Sequence, residues 1–253
     1  MCEIIKNNDI FYHWFSGGFP DAFLAPNNSL RGKWISNFVQ TYIERDLPML
    51  GLTVKTNLIR KLWTMIAHIH GNVINMSNLA KSLEISSTTI KSYLDFLEDA
   101  FLIRRLYSYS ANVKKRLVKS PKIYIRDSGL LHHLLNIPNF DSLESNPTIG
   151  SSWEGYVIEQ IIQRLDPDTR YYFYRTHDGA ECDLVLYKGN KALKGIEIKY
   201  TSGPKLTRGL HQAFKDIGTD SNYIITPDSD DYFIHSNIRV CKLYDFLENY
   251  LNN

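Results

Sequence analysis

Cysteine is scarce in this chain, at three in 253 residues. Cys2, Cys182 and Cys241 are odd in number and lack both the spacing of a disulfide framework and that of a zinc site. Buried or idle thiols are the expectation. Long apolar runs are also missing. The longest, around Tyr156 to Ile162, are broken by charge well short of the roughly 20 residues that a membrane span requires. The first residues, Met-Cys-Glu-Ile-Ile-Lys-Asn-Asn-Asp, have neither the basic start nor the apolar stretch of a secretory signal. Those absences predict a cytoplasmic protein without a membrane partner. No Gly-x-x-x-x-Gly-Lys-Ser/Thr occurs, so no phosphate-cradling loop and no nucleotide cofactor are expected. Internal repeats, low-complexity tracts and Gly/Ser linkers are absent too.

What is present suits a folded protein of more than one core. Hydrophobic residues make up 43% and charged residues 22%, outside the range of disordered chains. The length exceeds one ordinary domain of roughly 100 to 150 residues and suits two. The net charge of +2 conceals a division. Residues 1 to 140 carry 17 Lys and Arg against 10 Asp and Glu, or +7, whereas residues 141 to 253 carry 12 against 17, or −5. Such asymmetry suggests a basic surface for a polyanion beside an acidic domain that solvates itself or holds a metal.

Changes of hydrophobic period divide the chain. Residues 1–55 read as a helical N-terminal segment: Gly17-Gly18-Phe19-Pro20 marks a turn, and Leu30 to Leu47 forms a helix with Trp34, Phe38, Tyr42 and Ile43 near one face, stopped by Pro48. Residues 56–138 read as a winged helix. Three helical periods (Leu58, Leu62, Met65; Leu79, Ala80, Leu83; Ile90, Tyr93, Leu94, Leu97, Phe101) are followed by strand-like Leu102 to Tyr107 and Lys122 to Ile125. Ser77 and Ser87 are the expected N-caps. The stretch from Leu102 to Arg126 holds eight basic residues and no acidic one. It makes nucleic acid, DNA first, the expected partner, with Arg104, Arg105, Lys114, Lys115, Arg116 and Lys119 as contacts. A winged helix packed against protein, its hairpin only a solvated face, is the alternative. After a short helix opened by Asp127 and closed by Pro138, residues 139–253 read as a mixed α/β domain. Ser151-Ser152 caps a helix bearing Glu154, and strands follow at Arg170 to Arg175, Glu181 to Tyr187, Ala192 to Tyr200 and Asn222 to Thr226, with a helix from Leu206 to Ile217. The fold class is thus α/β by local pattern and α+β overall.

Within that domain, strand alternation places Glu181 with Asp183 on one face, and Glu197 with Lys199 on one face. Whether the pairs meet depends on the hairpin between them. A two-residue Gly189-Asn190 turn would set Asp183 opposite Ile196; an odd-numbered loop would set it opposite Glu197. The odd-numbered loop is the expectation. Two facing carboxylates repel unless a cation lies between them, and Mg²⁺, with Mn²⁺ as a second choice, is the usual hard-oxygen partner. Asp183 and Glu197 are then the metal ligands, and Lys199 and Glu154 the catalytic residues: Lys199 at an attacking water, Glu154 assisting. The bland readings are a helix-terminus role for Glu154 and an exposed ion pair for Lys199. Glu181, Asp178 and His177 read as solvated loop residues.

Asp183 followed by Glu197-Ile198-Lys199 across a β-hairpin resembles the PD-(D/E)XK motif of a nuclease superfamily, with Cys182 where the motif's name has proline. Glu154 resembles the acidic residue often found on that superfamily's first core helix. The resemblance implies a restriction-endonuclease-like fold for the second domain. A broader resemblance rests on Gly17-Gly18-Phe19-Pro20, Tyr42-Ile43-Glu44-Arg45-Asp46, Ile125-Arg126-Asp127-Ser128-Gly129-Leu130, Trp153-Glu154-Gly155 and Glu181-Cys182-Asp183-Leu184. These are similar to the C-terminal region of prokaryotic AAA-type ATPases, in which a winged helix and a nuclease-like domain of unknown function follow the ATPase module. The resemblance implies a fragment or split product without its own ATP site. It leaves two functions open: a Mg²⁺-dependent nuclease that binds DNA, or a non-enzymatic DNA-binding or partner-docking module that regulates an ATPase subunit.

Overall fold

The computed structural model describes residues 10–49, 51, 56–110 and 116–252. They form two compact units, Met1–Arg105 with Ile123–Gly155, and Leu106–Lys122 with Tyr156–Asn253. The helical N-terminal segment shares a unit with the three-helix region. Among the described residues no helix is long and apolar enough to cross a membrane. Cys182 and Cys241 are buried free thiols; Cys2 lies outside the described residues.

The first unit opens with α1 (Ile10–Ser16), α2 (Pro20–Phe23) and α3 (Asn28–Thr41), the last capped by Asn27 Oδ1 accepting from Leu30 N. A π-helical turn, Tyr42–Asp46, carries α3 into α4 (Leu47–Met49). Pro48 therefore lies inside the final turn and does not end the helix before it; the wide turn removes the demand for its missing N–H. Next come α5 (Thr56–His68), α6 (Met76–Leu83) and α7 (Ser87–Asp99), then β1 (Ile103–Leu106) and β2 (Lys122–Ile125), paired in a two-stranded sheet. The N-caps of α6 and α7 are Asn75 and Ser86, not Ser77 and Ser87, each accepting from the N–H three residues on. The buried face of α5 is Ile59, Leu62, Trp63 and Ile66, one residue round from the Leu58 and Met65 stripe that the sequence suggested. It joins Leu94, Leu97 and Ile103 in one core, where each such side chain contributes about 1.5–3 kcal/mol. Two short helices, α8 (Ser128–Leu134) and α9 (Phe140–Glu144), and the start of α10 (Ile149–Ile162) complete the unit. Ser151 and Ser152 fall within α10, not at its cap.

Two distant glycine motifs interlock here. Asp127 Oδ1 caps α8 through Leu130 N at 2.7 Å, and its Oδ2 accepts from Gly18 N, also at 2.7 Å. Gly17 has φ of +81°, and a Cβ there would meet Asp127 Oδ1; a Cβ on Gly129 would stand 2.1 Å from the Ser16 carbonyl oxygen. The Gly17-Gly18 turn and the Asp127-Ser128-Gly129 corner are thus the two halves of one joint.

The second unit is a six-stranded mixed sheet in the order β3-β4-β5-β6-β8-β7, made of β3 (Arg170–Arg175), β4 (Glu181–Lys188), β5 (Lys191–Ile198), β6 (Ser221–Thr226), β7 (Tyr232–His235) and β8 (Ile238–Lys242). Strands β3, β4 and β5 form an antiparallel meander, and β5 pairs in parallel with β6 through the crossover helix α11 (Arg208–Ile217). On α11 the buried stripe is Leu210, Ala213, Phe214 and Ile217, which packs on Cys182, Val185 and Ile224. The chain closes with α12 (Leu243–Asp245) and a π-helical turn, Phe246–Tyr250. Sequence periodicity missed β7, whose four residues are largely exposed.

Residues of the expected wing loop lie on this sheet. Ser108 bridges Phe173 and Leu117 bridges Thr176, while Tyr109 N donates to Phe173 O and Val118 N to Arg175 O. The edge of β3 is thus paired at Phe173 and Arg175.

Candidate acidic site on the β4–β5 hairpin

The β4–β5 turn is a two-residue Gly189-Asn190 turn, with φ of +58° and +70°, and Lys188 faces Lys191. That corrects the expected odd-numbered loop, since two successive left-handed residues close the tightest hairpin. The register does not stay on that track. Tyr187 faces Ala192, but Leu186 faces Lys194, so Leu193 is an extra residue bulged out of β5. Beyond the bulge Leu184 faces Ile196, and one further residue sets Asp183 opposite Glu197. The carboxylates reach the facing positions by a bulge, not by the loop.

Both carboxylates are buried, each residue 6% exposed, and each meets a lysine. Lys199 Nζ lies 2.5 Å from Glu197 Oε1. Asp183 Oδ2 accepts from Ile198 N at 3.0 Å, which ties the aspartate to the neighbouring strand, and Asp183 Oδ1 is 3.1 Å from Lys122 Nζ. Lys122 is itself 3% exposed, and its ammonium also pairs with Glu181 Oε1 at 3.0 Å and lies 5.8 Å from the centre of the Phe173 ring. Glu181 in turn reaches Arg175 at 3.5 Å. Burial, then the charges of Glu197 and Asp183, push the Cys182 thiol up, so it stays protonated in the core.

Sequence reasoning missed Lys122 and Glu181. Lys122 was counted with a basic surface stretch and Glu181 with solvated residues. The one local signal was the apolar company of Lys122 in Lys122-Ile123-Tyr124-Ile125, all four buried. Glu154 belongs to the first unit, where its Oε1 accepts from the Tyr124 hydroxyl at 2.5 Å. Its neighbours are structural: Trp153 packs edge-on against Trp14 with ring centres 5.2 Å apart, and a Cβ on Gly155 would collide with the His70 ring.

The basic residues divide. Arg104 is 9% exposed, and the Arg105 guanidinium is held by Asp95 at 2.7 Å and Glu98 at 2.5 Å. Neither offers its charge to a polyanion as the sequence suggested, because the first is buried and the second neutralised. Arg116 and Lys119 are exposed. Lys114 and Lys115 lie outside the described residues.

Comparison with known proteins places the geometry in context. A family model described as Domain of unknown function (DUF8612) matches residues 7–141, and a second, described as Domain of unknown function (DUF4143), matches residues 149–246. Uncharacterized proteins of Mycobacterium bovis and Mycobacterium tuberculosis are each 42% identical over 214 residues, covering 85% of this chain and 48% of the relative. An uncharacterized protein of Methanocaldococcus jannaschii is 24% identical over 226 residues, covering 87% of this chain and 48% of its own length. The chain spans about half the length of these relatives. No solved structure matches it.

Proposed function

We propose that this chain, which belongs to the family described as Domain of unknown function (DUF8612), is a nuclease-like, DNA-binding region of an AAA-type ATPase protein, with a Mg²⁺-dependent phosphodiesterase site at Asp183, Glu197 and Lys199. The observation that carries the reading is the bulge at Leu193, which sets Asp183 opposite Glu197 with Lys199 Nζ 2.5 Å from the glutamate. The order of elements supports it: a helix, a three-stranded antiparallel meander, a crossover helix and a parallel fourth strand make the core expected of a restriction-endonuclease-like domain. Three helices followed by a two-stranded sheet, β1–β2, suit a winged helix.

The donor set is hard oxygen, the type that Mg²⁺ or Mn²⁺ takes. Asp183 and Glu197 would hold the ion, which supplies charge to offset that developing on a phosphodiester. Its entry requires Lys122 to give up Asp183 Oδ1. Lys199 orients a water at the same face. Arg116 and Lys119, with Lys114 and Lys115, supply contacts to the DNA backbone.

One experiment tests this reading: calorimetric titration of Mg²⁺ and Mn²⁺ into wild type and Asp183→Ala, with nuclease assays on the same samples. Metal binding lost in the variant, together with metal-dependent cleavage by wild type, is the expected result. A wild type that binds neither ion and cleaves nothing overturns it. The second reading is a non-enzymatic DNA-binding or partner-docking module. It is favoured by Lys122, which already balances Asp183 and Glu181 from within the unit. Salt-sensitive DNA binding, weakened by Lys114→Ala, Lys115→Ala and Arg116→Ala, without metal binding supports that module.

A further inference from the structure

A cavity of about 390 Å³ lies in the first unit, far along the chain from the acidic hairpin. Its floor is buried: Phe15, Arg31, Ile35, His132 and Ile137. Exposed Asn28, Ser29, Asn136 and Pro138 line its rim, so it opens to solvent. The volume is that of a small-molecule site.

The feature that needs explaining is Arg31. The residue is 5% exposed, its guanidinium stacks 4.5 Å from the Phe15 ring centre, and its polar partners are neutral side chains, Ser16 Oγ at 2.7 Å, Asn28 Oδ1 at 2.9 Å and the hydroxyl of Tyr12. None of the residues lining the cavity is Asp or Glu. A buried cation ordinarily has a counter-charge, because neutral acceptors return only part of the lost hydration. Burial pulls the Arg31 pKa down from the usual guanidinium value. The group nonetheless remains charged at neutral pH. Lys122 and Arg105, by contrast, meet carboxylates.

The other walls suit an anion with an organic body. The first turn of the 14-residue helix α3 contributes Asn28 and Ser29 at the rim, where the positive end of the helix dipole favours negative charge. His132 is fixed by the Phe15 carbonyl at 2.9 Å and the Ser152 hydroxyl at 2.7 Å, and burial holds its pKa down to about 4, so it forms a neutral wall. Ile35, Ile137 and Phe15 give an apolar surface for the rest of a ligand.

We propose that this cavity binds a small organic oxyanion, its carboxylate or phosphate group paired with Arg31 and its apolar body against Ile35 and Ile137. The site is separate from the acidic hairpin and stands whether or not that hairpin is catalytic. The planar fork of the guanidinium matches either headgroup, and the probes distinguish them.

The test titrates benzoate, phenyl phosphate and the neutral benzyl alcohol into the full chain at constant ionic strength, followed by ligand-detected NMR and calorimetry. Saturable binding of benzoate or phenyl phosphate, with benzyl alcohol failing to bind, is expected; the tighter of the two names the headgroup. Arg31→Gln weakens that binding by about tenfold or more, since a charge-assisted pair is lost. Arg31 also braces Ser16 and Asn28, so a second variant guards against misfolding. Gly32 lies on the cavity wall within α3 and has open space where a Cβ would stand, so Gly32→Leu fills the cavity and raises helix propensity. It folds and abolishes binding. Failure of both anions to bind, equal binding of benzyl alcohol, or undiminished binding by Gly32→Leu overturns the proposal.

Discussion

Two aspartates, one in each unit, are satisfied in opposite ways. Asp127 accepts hydrogen bonds from the backbone N–H groups of Gly18 and Leu130. Burial pushes its pKa up from the usual carboxylate value, against those donors, which pull it down. Asp183 accepts one backbone N–H, from Ile198, and meets the Lys122 ammonium with its other oxygen. Backbone donors are part of the fold and cannot leave. A lysine on a flexible stem can exchange for another cation. The difference marks Asp127 as architecture and Asp183 as a position with a replaceable partner, so the proposed metal site belongs in the second unit.

The largest expected effect breaks the first half of that comparison. Gly129→Ala puts a Cβ about where the Ser16 carbonyl stands, and the joint must open, at a cost of about 3 kcal/mol or more. Denaturant unfolding of the variant checks this, and an unchanged midpoint would remove the joint from the account. Next is Lys122→Met, which leaves Asp183 and Glu181 without the ammonium between them. Loss of one partner of a buried pair costs about 3–5 kcal/mol, read by the same unfolding curves. If the Asp183 partner is replaceable, millimolar Mg²⁺ restores part of the loss in Lys122→Met and not in the double variant with Asp183→Ala.

A pH series sharpens the contrast between the units. Burial lowers His132 to about 4 and His70 to about 3, both in the first unit. Each ring is neutral in the fold, whereas in the unfolded chain it takes up a proton below pH ~6.5. Their contribution is therefore complete above pH ~6.5 and lost as pH falls toward the folded values, by about 2 kcal/mol per histidine between pH 6.5 and 5. Thermal melts at those two pH values should show the loss, and His132→Gln should remove part of it. The smallest effect concerns the β4–β5 turn. Asn190 has φ of +70°, so Asn190→Ala costs about 1 kcal/mol, the penalty of a left-handed residue with a Cβ. Unfolding curves with an unchanged slope would confirm that the register survives.

Much of the local structure was legible because it follows from period alone. The strands β3 to β6 and the helices α5 to α7 lie within a few residues of where apolar spacing put them, and alternation alone paired Glu181 with Asp183 and Glu197 with Lys199. Cap positions were less legible. Asn75 and Ser86 lie one or two residues before the serines chosen, because several polar residues precede each helix and only the backbone dihedrals select among them.

The sequence by itself thus determined the kinds of elements, the mixed α/β character of the second unit and the faces on which its charged residues lie. Tertiary structure decided what those faces meet. Leu193 looks like any strand residue, and its bulge exists only in the register of β5 against β4. Lys122 is 61 residues from Asp183, and it reaches the carboxylate because the segment before it covers the edge of β3. Arg105 looked like a free cation until Asp95 and Glu98 folded against it. Periodicity is a property of one segment, whereas register and charge pairing belong to two, and only the packed fold selects the second.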